Sequence, residues 1–362
     1  MSINEIIIYI MVIFMAIGAI DRIFGSKLGL GAQFEEGILA IGALALSMVG
    51  IIALSPVIAR LLEPVIVPVF DLFGADPAMF AGSILANDMG GAPLAAELAR
   101  SPEAAKFGGL IVGAMLGPTI VFTIPIALGL IPASDRKFLA KGVLAGVITV
   151  PIGSFFGGIA AGFPIMMIIR NLIPIILFSV LIALGLWKFE RIMIKGFTIF
   201  GKFVVIVITI GLAAGIIETL TGITVIRGLN PLSDGFEIVA DISIVLAGAF
   251  PLVYAITKIF RKPLMGLGKL LKMNDVAAAG MVASLANSIP MFNMVKDMDA
   301  RGKVLNFAFA TSAAFVFGDH LGFTAGFDSS MIVPMIIGKL TAGVTAVLLA
   351  FFMTRGEAKT NG

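Results

Sequence analysis

The chain has 362 residues, of which 59% are hydrophobic and only 13% are charged, and its formal net charge at neutral pH is +3. Soluble domains carry about 25% charged residues, so a soluble core could not hide this much apolar surface. The absence of cysteine excludes disulfides, iron–sulfur clusters and thiolate metal sites, and one histidine disfavours a histidine-built metal centre. The composition therefore predicts a membrane protein without a metal or other cofactor. The modest positive charge comes mostly from Lys and Arg in loops. We interpret these residues as signals of how the chain is oriented in the membrane, and we expect no nucleic-acid partner.

Apolar runs long enough to cross a bilayer recur along the whole chain. They predict an all-α polytopic membrane protein with about nine transmembrane helices. The expected spans are roughly 3–20, 38–62, 107–131, 138–163, 164–187, 197–221, 238–260, 304–327 and 331–353. Two further segments, 64–100 and 263–295, are too short and too polar to be ordinary spans. We predict that these two are broken or re-entrant helices.

The two unusual segments share a motif. Residues 80–91 read FAGSILANDMGG, and residues 279–292 read AGMVASLANSIPMF, so Leu-Ala-Asn occurs in both and a helix breaker follows each time. A carboxylate such as Asp88 is costly in this setting, since translocon scales put Asp near +3 kcal/mol at a helix centre. A broken, polar segment in corresponding places of two halves indicates the binding site of a transporter.

The similarity between the halves extends beyond this motif, at an offset that stays between 197 and 201 residues. The further matches are Pro64 with Pro263, Asp76 with Asp275, Ala81-Gly82 with Ala279-Gly280, Gly117 with Gly318, Phe122-Thr123 with Phe323-Thr324, and Ala145-Gly146-Val147 with Ala342-Gly343-Val344. Several matches in one order predict a duplication. The predicted organisation is a first repeat over 1–150, a connecting span over 151–196, a second repeat over 197–354 and a cytoplasmic tail over 355–362.

The distribution of Lys and Arg predicts how the halves sit in the membrane. If both motif segments are re-entrant, nineteen of these residues lie on one face and five on the other, whereas single crossings would remove the bias. The positive-inside rule favours the re-entrant arrangement, with the N-terminus outside and the C-terminus in the cytoplasm. Five spans then separate the starts of the repeats, so the second half is inverted relative to the first. Inverted repeats with paired broken elements suit alternating access.

Asp88 and Asn87, in the first motif, are the leading candidates for a binding site. An unwound tip with free carbonyls and a carboxylate favours a small cation. The alternative is that Asp88 only caps N–H groups of the tip. Asn287 and Ser288, at the second tip, would supply neutral donors and acceptors of the kind that a hydroxyl group needs.

Asp319 and His320 form a second candidate pair, within an apolar run. Ionisable residues inside a membrane are functional candidates by default. Neighbours on a helix point about 100° apart, so we expect one of them to line a cavity and the other to reach a neighbouring helix or a carbonyl. His320 is either a proton relay or a packed histidine. Thr119 occupies the equivalent place in the first half, after a Gly-Pro pair that should break or kink the helix.

Enzymatic motifs are missing from the sequence. Residues 196–202 fit GxxxxGK, but Phe203 stands where a P-loop needs Ser or Thr, and no GxSxG or HExxH occurs. We therefore expect no catalytic residue. The rival interpretations are a transporter of the same fold for another small amine, an ion or a nucleoside-like metabolite, a gated channel, and, least supported, an intramembrane enzyme.

Several strings resemble the EutH ethanolamine permease family. They are INEIIIYIM at 3–11, QFEEG at 33–37, MFAGSILANDMGG at 79–91, MLGPTIVFTIP at 115–125, KPLM at 262–265, NDVAAAGMVASLANSIPMF at 274–292 and FGDHLGF at 317–323. The resemblance implies a bacterial inner-membrane protein that brings ethanolamine into the cytoplasm. The family tip reads LACDMGG, so Asn87 departs from it and Asp88 is the stronger candidate.

The resemblance and the residues agree chemically, because ethanolamine near neutral pH is mostly a small ammonium ion with one hydroxyl group. We expect Asp88 to pair with the ammonium group, Asn287 and Asn87 to bind the hydroxyl group, and Asp319 to line or gate the path. Proton or sodium coupling, simple facilitated transport and homo-oligomerisation all stay open. The expected partners are this amine and membrane lipid.

Overall fold

The computed structural model describes residues 2–355, and the side chains of 260–265 and 267 lie outside this description. All but the first residue of the predicted tail at 355–362 also lies outside the described residues. Within the described chain the protein is entirely helical. The helices are α1 (Ile3–Ile23), α2 (Leu30–Asp71), α3 (Ala78–Ile84), α4 (Gly91–Leu98), α5 (Pro102–Val112), α6 (Leu116–Leu130), α7 (Arg136–Ala160), α8 (Ile165–Lys188), α9 (Glu190–Thr221), α10 (Leu232–Leu270), α11 (Asp275–Ser284), α12 (Ser288–Met294), α13 (Ala300–Ala313), α14 (Asp319–Asp328) and α15 (Ile332–Met353).

The predicted all-α membrane class is confirmed by the length and apolar character of these helices. Among residues 2–355, seven helical stretches are long and apolar enough to cross a bilayer, or eight if the bent pair α5–α6 counts as one. The expected span at 304–327 is two shorter helices, α13 and α14, separated by residues 314–318. The number nine therefore stays a prediction.

The order of helices before α8 recurs after it. Each half has a first helix, a very long second helix, two short helices, a further helix, a break, a helix after that break and a long last helix. This is the order that a duplication requires, with α8 as the connector. The most extensive contacts join equivalent helices, α2 with α10 and α7 with α15. The inversion of the second half stays a prediction.

The short helices form two helical hairpins, since α3 packs on α4 and α11 packs on α12. The first hairpin begins and ends at one place, because the Asp76 carboxylate accepts hydrogen bonds from the backbone N–H groups of Ala78 (2.9 Å) and Arg100 (3.0 Å). The second hairpin closes similarly. The backbone N–H of Asn274 donates to the Asp299 carboxylate (2.8 Å), and its side chain donates to the Asp297 carbonyl (2.9 Å). Each chain segment thus enters and leaves at the same end of its hairpin, and the re-entrant placement of the hairpins in the membrane stays a prediction.

The hairpins begin later than the sequence indicated. Helix α2 continues to Asp71 and α10 to Leu270, so the hairpins cover less of the chain than the predicted segments 64–100 and 263–295. The predicted start at residue 64 is too early, because α2 continues past it. Pro64 and Pro68 instead lie inside α2, where a proline removes one backbone hydrogen bond and neighbouring residues keep the chain helical.

Each hairpin tip rests on a break in a longer helix. Residues 113–115 interrupt α5–α6, which bend by 41°, as the Gly-Pro pair nearby predicted. The backbone N–H of Asn87 at the first tip donates to the Gly113 carbonyl in this break (2.8 Å). At the second tip, the N–H groups of Phe315 and Phe317 donate to the carbonyls of Ser284 and Leu285 (both 3.0 Å). These bonds satisfy backbone groups that unwinding has freed, as a membrane interior requires.

Candidate functional site

A small enclosed cavity lies where the first hairpin tip meets both helix breaks. Its volume is about 30 Å³, which is the volume that one water molecule occupies in the liquid. Its lining comes from four parts of the chain: Ala86, Asp88 and Met89; Pro118 and Phe122; Phe315; and Asp319 and His320. The structure therefore brings together three of the predicted site residues, which come from both halves of the chain.

Asp88 reaches this cavity because the tip is not helical in the ordinary sense. Leu85 and Ala86 are extended, residues Asn87–Met89 make a single 3-10 turn, and Gly90 has a left-handed φ of +95°. The Asp88 side chain is 18% exposed. Its carboxylate also lies against the N–H of its own residue in the tip, so the alternative that Asp88 caps N–H groups of the tip stays open. A carboxylate that lines a cavity in this way has the geometry of a cation ligand.

Asp319 and His320 both line the cavity, so the expectation that only one of them would do so is wrong. Helix α14 begins at Asp319, and the cavity lies at this helix end instead of along its side. Phe315, in the preceding break, holds a left-handed φ of +64°, which is costly for a bulky residue. The strained backbone of the break thus directs two consecutive side chains into one space.

Lys339 of α15 adds a buried cation that the sequence analysis did not assign to the site. It is 1% exposed, and its ammonium group hydrogen-bonds the Ala114 carbonyl in the first break. Lys339 Nζ also lies 2.9 Å from His320 Nδ1, and His320 Nε2 lies 4.0 Å from Asp88 Oδ1. Three ionisable groups therefore form a chain from α15 through α14 to the hairpin tip.

Two aromatic rings line the cavity. Phe122 and Phe315 meet edge to face, with ring centroids 5.3 Å apart, and Phe315 also lies 5.3 Å from the His320 ring. Aromatic faces attract ammonium groups, most strongly where water is excluded. The cavity thus combines carboxylates with ring surfaces, which suits a small organic cation.

The remaining predicted site residues lie elsewhere. Thr119 is buried, with its hydroxyl 2.9 Å from the Met115 carbonyl and 2.8 Å from the Thr311 carbonyl, and it does not line the cavity. Asn287 caps α12 through a bond from the Ile289 N–H (2.9 Å). Asn87 and Ser288 are buried, and their side chains have no hydrogen-bond partner among the described residues. Buried amides without partners are unusual, so Asn87 stays a candidate ligand.

Asn287 lines a second, much larger cavity of about 600 Å³, together with Gln33, Tyr254 and Lys258. We call this cavity the vestibule. Ala286 lines the vestibule, while its carbonyl packs against Gly318, the residue before Asp319. The second hairpin tip therefore lies between the vestibule and the small cavity.

The close contact at Gly318 predicts the effect of replacing this glycine by alanine. A Cβ at this position would lie 2.0 Å from the Ala286 carbonyl oxygen, so Gly318→Ala must displace the second tip. Overpacking of this kind costs about 1–3 kcal/mol, and we expect a lower Tm together with a severalfold loss of transport. Gly129→Ala is the matched control, because its Cβ would meet no atom within 4 Å. A Gly318→Ala protein with unchanged Tm and transport would contradict the tight seating of the tip.

Lys339, Phe122 and Phe315 are the site residues that the sequence analysis missed. A lysine inside an apolar run was a usable signal, because mid-membrane cations mark functional positions. The two phenylalanines could not be distinguished from the other 27 in the chain. Among residues 2–355, no group of three His, Asp or Glu side chains is arranged to hold a metal ion.

Comparison with known proteins adds evidence independent of this geometry. The family described as "Ethanolamine utilisation protein, EutH" matches residues 3–353. The chain belongs to the EutH family. It is 64% identical to the "Probable ethanolamine permease EutH" of Listeria monocytogenes serotype 1/2a (strain 10403S), over 100% of this chain and 97% of the relative. It is 51% identical to the protein of the same name from Escherichia coli (strain K12), over 99% of this chain and 98% of that one.

A further relative, the "Uncharacterized protein YxeR" of Bacillus subtilis (strain 168), is 49% identical over 99% of this chain and 97% of its own length. No solved structure matches the chain. Membership of a permease family, together with the apolar helices, makes this EutH-family protein a multi-pass membrane protein with a transport role and not an enzyme. The resemblance that the sequence motifs indicated is confirmed.

Proposed function

We propose that this EutH-family protein takes up ethanolamine across the bacterial inner membrane by alternating access. The observation that carries the proposal is that Asp88 and Asp319, from opposite halves of the chain, line one small enclosed cavity. Two carboxylates facing a narrow and largely buried space favour a cation, since water screens charges weakly there. The relatives' names point to the same kind of cargo, because they are called probable ethanolamine permeases.

In the proposed complex the ammonium group of ethanolamine lies between the carboxylates of Asp88 and Asp319. Its N–H groups donate to both, and the rings of Phe122 and Phe315 cover its remaining surface. The unpartnered Asn87 amide lies next to Asp88 in the chain and is the nearest candidate for the substrate hydroxyl. Asn287 lines the vestibule in this conformation, so its predicted contact with the substrate needs a movement of the second hairpin.

The size of the cavity indicates which conformation the structure represents. Ethanolamine has four non-hydrogen atoms, whereas about 30 Å³ holds roughly one water molecule. The site must therefore open to load its substrate. The second hairpin tip separates the cavity from the vestibule, so its displacement would connect the two. A hairpin that moves against a fixed site is a known form of alternating access.

Contacts between distant parts of the chain agree with the proposed orientation. Lys303 pairs with Asp135 (2.8 Å), and Arg301 hydrogen-bonds the Thr354 carbonyl (3.1 Å); the sequence places all four on the cytoplasmic face. On the opposite face the Asn4 side chain donates to the Ser330 carbonyl (2.9 Å). These pairs support the predicted grouping of segments on two opposite faces, and the assignment of the C-terminal face to the cytoplasm rests on the positive-inside rule.

Counterflow tests this function directly. Proteoliposomes preloaded with unlabelled ethanolamine should accumulate external radiolabelled ethanolamine transiently, with saturable initial rates, because a carrier exchanges substrate across the membrane. Empty liposomes provide the background. Flux that rises linearly with concentration and shows no counterflow would favour a channel and contradict alternating access.

The same assay gives a prediction about selectivity. Choline carries three N-methyl groups and no ammonium N–H, so it cannot donate hydrogen bonds to Asp88 or Asp319, and its volume exceeds that of ethanolamine. We expect choline to inhibit ethanolamine uptake at least about 100-fold more weakly, since losing charge-assisted hydrogen bonds costs about 1.5–3 kcal/mol and the methyl groups add steric conflict. If choline inhibited labelled uptake as strongly as unlabelled ethanolamine does, the carboxylates would not be recognising the N–H groups of the substrate.

A further inference from the structure

The charges around the small cavity do not balance. Asp88 on the first tip and Asp319 on α14 face it, and Lys339 on α15 is the cation that reaches it through His320. His320 lies between two of these charges, with its Nδ1 2.9 Å from Lys339 Nζ and its Nε2 4.0 Å from Asp88 Oδ1. Counted with Lys339 protonated, His320 neutral and both aspartates ionised, two carboxylates and one ammonium group leave one negative charge.

The other groups packed against this cluster do not neutralise its net negative charge. Helix α6 contributes Pro118 and Phe122, and the two breaks contribute Ala114 and Phe315, all of them uncharged. Glu36 of α2 also acts on Asp319. Its side chain is exposed and hydrogen-bonded by Gln33, which lines the vestibule, so water and ions screen it. Within the described residues, the enclosed cluster therefore lacks one positive charge.

An uncompensated charge in a closed, low-dielectric site is too costly to persist. The cluster must therefore hold one added positive charge whenever it is closed. Ethanolammonium supplies this charge when the site is loaded, and one proton shared by the two carboxylates supplies it when the site is empty. Paired carboxylates commonly share a proton in this way.

Resting on the function proposed above, we propose that this protein exchanges one ethanolammonium ion for one proton. On loading from outside, the proton shared by Asp88 and Asp319 leaves to water as the ammonium group binds between them. After release into the cytoplasm, a cytoplasmic proton returns to the pair, and the closed, neutral cluster reorients outward. Each cycle moves one ammonium ion in and one proton out, so no net charge crosses. Lys339 is the positioning residue, because its single positive charge sets the exchange at one proton per ammonium ion.

The exchange has two signatures in proteoliposomes at pH 6 containing a luminal pH indicator. Uptake of ethanolamine should raise the luminal pH by the equivalent of about one proton per molecule taken up. A potassium diffusion potential, negative inside, should leave the initial rate and the final accumulation unchanged. A uniporter of the ammonium ion would instead accumulate substrate up to about fifty-fold at 100 mV. Empty liposomes control for diffusion of the neutral amine.

Asp319→Asn tests the shared proton. Its cluster is already neutral when empty, so ethanolammonium that still binds to the purified variant at high concentration should release no proton, and uptake should fall because the loaded cluster carries an uncompensated positive charge. Asp319→Glu should restore the exchange. Asp241→Asn is the matched control, since Asp241 is an exposed aspartate on α10 outside the cavity, and it should keep wild-type coupling.

The outcomes distinguish the exchange from transport itself. Saturable wild-type uptake that follows the potential without a luminal pH change would overturn the exchange and leave the transport function standing. Absence of saturable uptake would overturn the transport function. If Asp319→Asn does not insert, proton release from purified wild-type protein on adding ethanolamine in weak buffer decides the matter. About one proton per bound molecule supports the exchange, and none contradicts it.

Discussion

Asp88→Asn is expected to abolish saturable ethanolamine uptake while leaving insertion into the membrane intact. The substitution keeps the shape of the side chain but removes the charge that faces the cavity, so the ammonium group would be buried with one carboxylate fewer. Removing one partner of a buried ion pair costs about 3–5 kcal/mol, which corresponds to a loss of at least about 100-fold in affinity. Initial rates of radiolabelled uptake in proteoliposomes measure this loss.

The interpretation needs evidence that the variant is folded. The Tm should stay close to that of the wild type, because asparagine keeps the size and shape of the aspartate side chain. Asp241→Asn, on the exposed side of α10, should transport normally. Undiminished, saturable uptake by Asp88→Asn would remove Asp88 from the binding site.

Lys339→Met is expected to have the second large effect. Methionine approximates the length of the lysine side chain but cannot donate to the Ala114 carbonyl or balance the cavity carboxylates. We expect transport to fall at least about 100-fold. Stability should also fall, since removing one partner of a buried charge cluster leaves the other charges uncompensated at a cost of about 3–5 kcal/mol. Uptake assays and thermal unfolding, measured on the same preparation, separate the two effects.

Lys303→Met is the matched control for this substitution. Lys303 is also largely buried and pairs with Asp135 at 2.8 Å, but it lies away from the cavity. Its loss should lower Tm, because the partner carboxylate is left unpaired, and should spare transport. If Lys339→Met lowered Tm strongly and transported at the wild-type rate, Lys339 would be a structural residue only.

Much of the architecture could be predicted from local features of the sequence. The two Leu-Ala-Asn motifs with their helix breakers indicated two re-entrant segments, and the hydrogen bonds that close each hairpin at Asp76 and Asn274 agree with this. The pairing of Asp88 with Asp319 in one site was also within reach, because an ionised group in an apolar run needs a partner or a ligand.

The remaining features depend on contacts between distant segments. Asn287 was expected beside Asp88, yet it lines the vestibule, because the second tip extends and its amide caps α12. Helical spacing separated Asp319 from His320, but it could not show that α14 begins at Asp319. The strained Phe315 and the contact between Lys339 and the Ala114 carbonyl are likewise tertiary, and no local pattern encodes them.

An experimental structure with ethanolamine bound is the measurement that tests the central claim most directly. We predict density for one small molecule between the first hairpin tip and the start of α14, with its nitrogen about 3 Å from carboxylate oxygens of both Asp88 and Asp319. Density only in the vestibule beside Asn287 and Tyr254, with the small cavity still closed and Asp88 out of contact, would contradict it.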